Sequence, residues 1–396
     1  MTRGTAPAVV LMLAAGMPVA AQSIAISDDV RITPTARLDT DVRRAKGSDD
    51  VGLDVARRRI GATGAISSHV EFEIEREIDD GWRDAFVNVR ATRAVQVRAG
   101  HFKVPFSREQ LTGAGALDFI DRSRAADLLS PGRSAGVAVH GRVAGRAVGY
   151  EAGGFVSDGT RTGLVPGSWS EPTVAGRVTL KPFGLARRGS TRRAKGWTDV
   201  ELGIAAVTTS LDEGRESFRG RLASKDMFFA PVFVNGRRLR VGGDLDWRPG
   251  PFGVRAEFLR ADDARQHQGL AGETLPPIRA YGWSMAGVWA VAGRKAHARA
   301  NDTVAIAGFP GLELTLRTEA VAFGTPGDAG AQVWTPRAAL LSTSAERVWT
   351  AGVNWTVNRL VRLQANAVHE TVVNRSRGAV PPRAGWSPVV RVQIAN

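Results

Sequence analysis

The chain has 396 residues, enough for one large closed sheet or for two or three ordinary soluble domains. Hydrophobic residues make up 43%, which excludes a wholly disordered chain, and no apolar run past the N-terminus approaches the about twenty residues of a transmembrane helix. The formal charge of +14 comes from basic residues spread over the whole chain, which argues against a nucleic-acid patch, and the absence of cysteine excludes disulfides, thiol catalysis and zinc–thiolate sites.

Residues 1–21 read as a secretory signal. Arg3 supplies the n-region charge, Ala8 to Ala15 a short apolar core, and Pro18-Val19-Ala20-Ala21 small residues for cleavage before Gln22. The expectation is one exported domain over 22–396.

Two-residue alternation then recurs along the chain, the period of a strand with one face in each environment. Val70, Phe72 and Ile74 alternate with Glu71, Glu73 and Glu75, and Ala85, Val87 and Val89 with Phe86, Asn88 and Arg90. Val95, Val97 and Ala99 alternate with Gln96, Arg98 and Gly100. Later, Leu312, Leu314 and Leu316 alternate with Glu313, Thr315 and Arg317, Val361 to Ala367 with Arg362, Gln364 and Asn366, and Val390, Val392 and Ile394 with Arg391 and Gln393. The polar faces carry full charges, and breaks such as Asp79-Asp80-Gly81 and Arg248-Pro249-Gly250-Pro251 fall at hairpin spacing. In a barrel the charged face lines water, the apolar face meets lipid, and closure satisfies every backbone group. Trp82, Trp247, Trp283, Trp289, Trp349 and Trp355 sit where an interfacial girdle belongs, although the chain has only 2 Tyr. Residues 183–198 (with Arg187, Arg188, Arg192, Arg193 and Lys195), 261–280 and 324–336 read as loops.

Several segments, in order from about residue 31 to 394, resemble the phosphate-selective porin O/P family. Val55-Ala56-Arg57-Arg58-Arg59-Ile60-Gly61 with Gly64 is similar to its early arginine-rich strand, and Val97-Arg98-Ala99-Gly100-His101-Phe102-Lys103-Val104-Pro105-Phe106 to its R-x-G-x-F-K-x-P-F signature. Phe119-Ile120-Asp121-Arg122 and Ser130-Pro131-Gly132-Arg133-Ser134-Ala135-Gly136-Val137 follow. Tyr281-Gly282-Trp283, Gly311-Leu312-Glu313-Leu314 with Arg317, and Ala351-Gly352-Val353-Asn354-Trp355 continue the likeness toward the C-terminus. The resemblance implies an all-β fold: a closed, antiparallel transmembrane β-barrel of sixteen strands with inward-folded loops, usually trimeric, in the outer membrane of a Gram-negative-type bacterium. It also implies passive conduction of inorganic anions, with phosphate or polyphosphate preferred, and no cofactor. The length allows roughly 23 residues for each strand and its loop.

Selectivity in such a pore comes from charged side chains where the lumen narrows. The long segment 103–135 between strong strand signals is the candidate inward loop, with Lys103, Arg108, Arg122, Arg124 and Arg133 as candidate anion ligands. The alternative is ordinary solvated loop charge paired with Asp118, Asp121 and Asp127. Arg90, Arg98, Arg362 and Arg391 lie on polar strand faces, either as a ladder along the wall or as a salt-bridge lattice with Glu71, Glu73 and Glu75. The six histidines show no metal-ligand spacing, and no nucleophile elbow is present. Two other readings are a barrel enzyme of the phospholipase type, for which His140 and His369 would be the histidines to inspect, and a structural or adhesive barrel with a closed lumen.

Overall fold

The computed structural model describes residues 23–27, 29–44, 51–159, 172–185, 196–216, 222–223, 233–293, 311–324, 344–374 and 383–396. The leader expected over 1–21 lies outside these residues, as do most of the stretches expected as loops over 183–198 and 324–336. The segment expected as a loop over 261–280 is mostly strand: two strands run into it from either side and leave only 266–274 between them.

The sixteen wall strands are β2 (Arg31–Arg44), β3 (Val51–Ala65), β4 (Val70–Glu77), β5 (Gly81–Arg90), β6 (Gln96–Lys103), β7 (Arg133–Val143), β8 (Val148–Phe155) and β9 (Thr173–Leu180), followed by β10 (Val200–Glu216), β11 (Phe233–Trp247), β12 (Phe252–Arg265), β13 (Leu275–Gly293), β14 (Gly311–Gly324), β15 (Ser344–Thr356), β16 (Val361–Asn374) and β17 (Arg383–Ala395). A two-residue strand, β1 (Ile24–Ala25), pairs with the start of β2. Each strand pairs antiparallel with its sequence neighbours, and β17 pairs with β2 from Val389↔Arg43 to Ala395↔Arg37. The sheet is thus a closed sixteen-strand barrel.

Alternation decides which face each residue takes. On β4, Glu75 and Glu77 are buried toward the lumen while Ile74 is exposed outward. On β12, Glu257, Leu259, Ala261, Asp263 and Arg265 are buried, and Phe258 and Arg260 between them are exposed. Trp82, Trp283, Trp289, Trp349 and Trp355 are exposed on the outer face, half-buried Trp247 falls on it by alternation with buried Asp246, and Phe252 stacks on Trp289 at 6.0 Å between ring centres. This is the aromatic girdle that an apolar band in lipid requires.

The strands are tilted. Followed partner to partner from Arg31 at the rim that carries both chain ends, the register climbs until it reaches Asn374 at the opposite rim. The wall is uneven in height as well: β4 to β9 have 8 to 11 residues, whereas β10 to β17 have 13 to 19. Short turns such as 66–69, 91–95, 144–147 and 248–251 gather at the rim of the chain ends, which is the periplasmic side of such barrels.

Candidate functional site

After Lys103 the chain turns into the lumen, and residues 104–132 cross it before β7 begins. The turn is closed by the Val104 amide donating to the Gly132 carbonyl at 3.1 Å. Helix α1 (Arg108–Leu111) starts at Ser107, whose hydroxyl accepts from the Gln110 amide, and α2 (Arg124–Leu129) starts at Ser123, which accepts from Ala126. A 3₁₀ turn at Ala114–Ala116 joins them. Short helices of this kind have many unpaired backbone groups, so capping by serine supports them.

One side of the loop is apolar. Val104, Phe106, Ala125 and Leu129 are buried in a cluster with Phe102, Phe155, Leu259, Ala261, Ile278, Ala280, Val321 and Phe323. Helix α2 lies against β12, β13 and β14, close enough that a Cβ on Gly282 would meet the Ala125 Cβ at 2.8 Å. The lumen on this side is therefore filled, and the open space is displaced to the other side.

The rest of the loop is stitched to the wall by polar groups. Ser107 Oγ and the Arg108 amide donate to Glu257 at 3.0 and 2.7 Å, and the Arg108 guanidinium pairs with Glu201 and Asp246. Asp118 pairs with Arg255, and Asn354 donates to the Asp118 carbonyl at 2.9 Å. Arg362 donates to the carbonyls of Gly115 and Leu117 at 3.1 and 3.0 Å, and Arg391 to that of Ile120 at 2.7 Å. Arg43 holds the Asp121 carboxylate, and Arg124 donates to Glu346 on β15 at 3.0 Å and pairs with Asp127. Breaking a buried pair such as Arg108–Asp246 or Arg124–Glu346 costs about 3–5 kcal/mol, so the loop is a fixed part of the lumen.

Between the loop and the walls formed by β2, β3 and β14 to β17 lies a cavity of ≈ 550 Å³ on the side away from the chain ends. It is lined by Arg43, Arg57, Arg122, Arg124 and Arg317 together with Asp54, Asp121, Asp127 and Glu319. At the β3–β6 wall a second cavity of only ≈ 20 Å³, room for about one water, is surrounded by Arg59, Arg83, Lys103, Arg122 and Arg133. Arg133 pairs with Asp84 at 2.7 Å, and Arg59 with Glu77 and Glu75 at 2.7 and 3.2 Å. Lys103 and Arg122 are held differently. Lys103 Nζ donates to the carbonyls of Leu111 and Thr112 at 3.0 and 3.3 Å, and Arg122 to those of Thr112 and Glu109 at 2.7 and 3.1 Å. Carbonyl dipoles position both groups and leave the Arg122 guanidinium without a bound carboxylate. Burial pushes the Arg122 guanidinium down to about 10, with nearby Glu109 opposing the shift, which leaves it charged at neutral pH.

Of the residues singled out in the sequence, Lys103, Arg122 and Arg133 thus converge on one cluster. Arg108 and Arg124 lie elsewhere on the loop and anchor it. Arg90, Arg98, Arg362 and Arg391 are spread around the wall: Arg90 pairs with Glu71, Arg98 with Glu151 at 3.1 Å, Arg362 with Glu313 at 3.6 Å and Arg391 with Asp41. Arg59 and Arg83 complete the cluster and were not singled out. Alternation from Ile60 places Arg59 on the lumen face, but Arg83 sits at a register shift in β5 where alternation fails. His140 bonds Asn88 at 2.7 Å, and the His369 ring lies tilted against Trp386 with centres 4.8 Å apart.

The family model described as phosphate-selective porin O and P matches residues 33–393. No curated protein sequence matches the chain. Among solved structures, outer-membrane expressed OmpT of Vibrio cholerae superposes with a TM-score of 0.61 at 11% identity, covering 94% of this chain and all of that one. The trimer form of the in-vitro folded V. cholerae protein gives 0.59 at 12% identity, covering 93% of this chain and 100% of that one. The outer membrane channel DcaP of Acinetobacter baumannii gives 0.58 at 11% identity, covering 93% and 98%. At these identities the likeness establishes the fold.

Proposed function

The chain belongs to the phosphate-selective porin O and P family, and from this premise of an outer-membrane porin we propose that it is a passive channel for inorganic anions, phosphate or polyphosphate among them. The observation that carries the reading is the pair Lys103 and Arg122, whose hydrogen bonds go to peptide carbonyls where the inward loop narrows the lumen.

An anion entering from the ≈ 550 Å³ cavity meets Arg43, Arg57 and Arg317 first, each near a carboxylate that tempers its pull. Arg122 borders both cavities, so it hands the ion to the cluster of Lys103, Arg59, Arg83 and Arg133. The space there is too small for a hydrated ion. Passage requires the anion to exchange water for guanidinium and ammonium donors, the exchange that confers selectivity in narrow pores. Several moderate sites in series favour release over trapping.

The proposal includes a homotrimer. Arg58 on β3, paired with Asp79, and Arg76 on β4, over the Trp82 ring at 5.5 Å, face outward where the low wall begins. A charge on the lipid face carries a cost that rises with its depth in the bilayer, and contact with another copy removes that cost. The solved V. cholerae trimer form supports the same assembly. Export with removal of residues 1–21 is also part of the reading, and N-terminal sequencing of the membrane protein should then begin at Gln22.

The deciding measurement is the reversal potential of the purified protein in a planar bilayer under a KCl gradient, followed by titration of the chloride current with phosphate. Anion selectivity with phosphate block is the expected result. Cation selectivity, or absence of conductance, overturns the reading. Native mass spectrometry reads the trimer in the same preparation.

A further inference from the structure

The outer face of the tall wall carries a pattern that ion passage does not use. Trp247 on β11, Phe252 on β12, Trp289 on β13 and Trp355 on β15 mark the periplasmic edge of the apolar band. A band of about 25 Å crossed by strands tilted by about 40° takes roughly ten residues. Counting about eight to ten residues along each strand from its aromatic reaches an outward-facing arginine every time: Arg237, Arg260, Arg279 and Arg347. Asp262 is the acid among them, and it is shared: it accepts from Arg260 at 2.8 Å and from Arg279 at 2.8 Å. One carboxylate between two guanidiniums leaves the pair with a net positive charge.

Between the strands of Arg279 and Arg347 the surface has a matching shape. Strand β14, between them, turns only Thr318, Ala320 and Ala322 outward over this height. Its register neighbours are large: Ala320 lies between Trp283 on β13 and Arg347 on β15, and Thr318 between Met285 and Trp349. The result is a groove one strand wide, floored by small side chains and walled by Trp283, Met285 and Trp349, with Arg347 on one wall beside Ala320 and Arg279, level with Gly324, at its outer end.

We infer that this groove holds a phosphorylated lipid of the outer leaflet, with an acyl chain over Thr318 and Ala320 and its headgroup phosphate over Ala322, between Arg279 and Arg347. Guanidinium suits phosphate because its planar fork donates to two oxygens at once, and basic residues at the membrane surface select anionic lipids. Charge complementarity therefore favours a lipid over a second copy of the chain, whose matching face would bring the same arginines together. The inference rests on the barrel and its outer-membrane setting, so a loss of ion selectivity leaves it standing.

The test uses the full mature protein in nanodiscs of phosphatidylcholine containing a minor fraction of bisphosphorylated lipid A, with bound lipids counted by native mass spectrometry. Wild-type protein is expected to retain lipid A over phosphatidylcholine. Retention should fall at least tenfold in R279Q/R347Q, which removes the headgroup ligands, and in A320W, which fills the floor. R279K/R347K should recover part of it. Unchanged conductance in the bilayer shows that the variants are folded. Equal retention in wild type and both variants, or no preference over phosphatidylcholine, overturns the inference. So does a change in the number of chains per particle with lipid retention unaltered, which makes the face an interface between copies.

Discussion

Arg124 in the loop helix donates to Glu346 on β15 at 3.0 Å, and the other oxygen of that carboxylate accepts from the Ala223 amide at 2.8 Å. Leu222, beside it, is fully buried in the same apolar cluster as Leu129. One wall carboxylate thus ties two separate inward segments together. Glu346→Ala should release both: the expected outcome is larger single-channel conductance with frequent excursions and a lower Tm, since breaking a buried pair costs about 3–5 kcal/mol. Glu346→Gln, which keeps one acceptor, should fall between. Quiet wild-type currents from E346A would refute this role.

Arg122 and Arg108 separate selectivity from anchoring. Arg122→Ala removes a charge whose partners are carbonyls, so the KCl reversal potential should move markedly toward the cation side, and Arg122→Lys should retain most of the wild-type value. Arg108→Ala removes a charge already paired with Glu201 and Asp246. Its effect should appear in thermal stability and current noise, with little change in reversal potential.

Gly282→Val tests the seating of α2 on β13. A Cβ there meets Ala125 at 2.8 Å, so the helix must shift off the wall toward the remaining cavity, at a cost of about 1–3 kcal/mol for overpacking. Conductance and Tm should both fall, and Ala125→Gly in the same chain should restore part of each. Wild-type conductance in G282V would show that the helix is not packed as described.

Salt dependence distinguishes the cavity from the cluster. Screening shortens from about 10 Å at 0.1 M to about 3 Å at 1 M, so charges lining the wide cavity lose their reach while direct ligands in the narrow cluster do not. The anion-to-cation permeability ratio should decline from 0.1 M to 1 M KCl and then level off above one. A ratio that falls to one in 1 M KCl would place selectivity in the wide cavity alone.

Alternation made the strands legible, because a wall between lipid and water imposes period two with charges on one face; Val70 to Glu75 and Val361 to Ala367 show it without ambiguity. The inward loop was legible as the long segment between two such runs. The roles of its arginines were not. Arg124 finds Glu346 222 positions away and Arg108 finds Asp246 138 away, and no local pattern encodes pairings across a closed sheet. The same is true of Lys103 and Arg122, whose hydrogen bonds all go to carbonyls, whereas Arg362 and Arg391 bind a carboxylate as well as carbonyls.

Arg391 on the last strand pairs with Asp41 on β2 and also donates to the Ile120 carbonyl in the loop. These two contacts belong to different parts of assembly: the first zips the barrel shut, and the second fixes the loop. A single side chain makes both, and it lies on the strand that closes the sheet against β2. An unclosed sheet therefore has a loop without its final anchor, so a barrel that fails to close also lacks a finished constriction, and the two defects appear and disappear together.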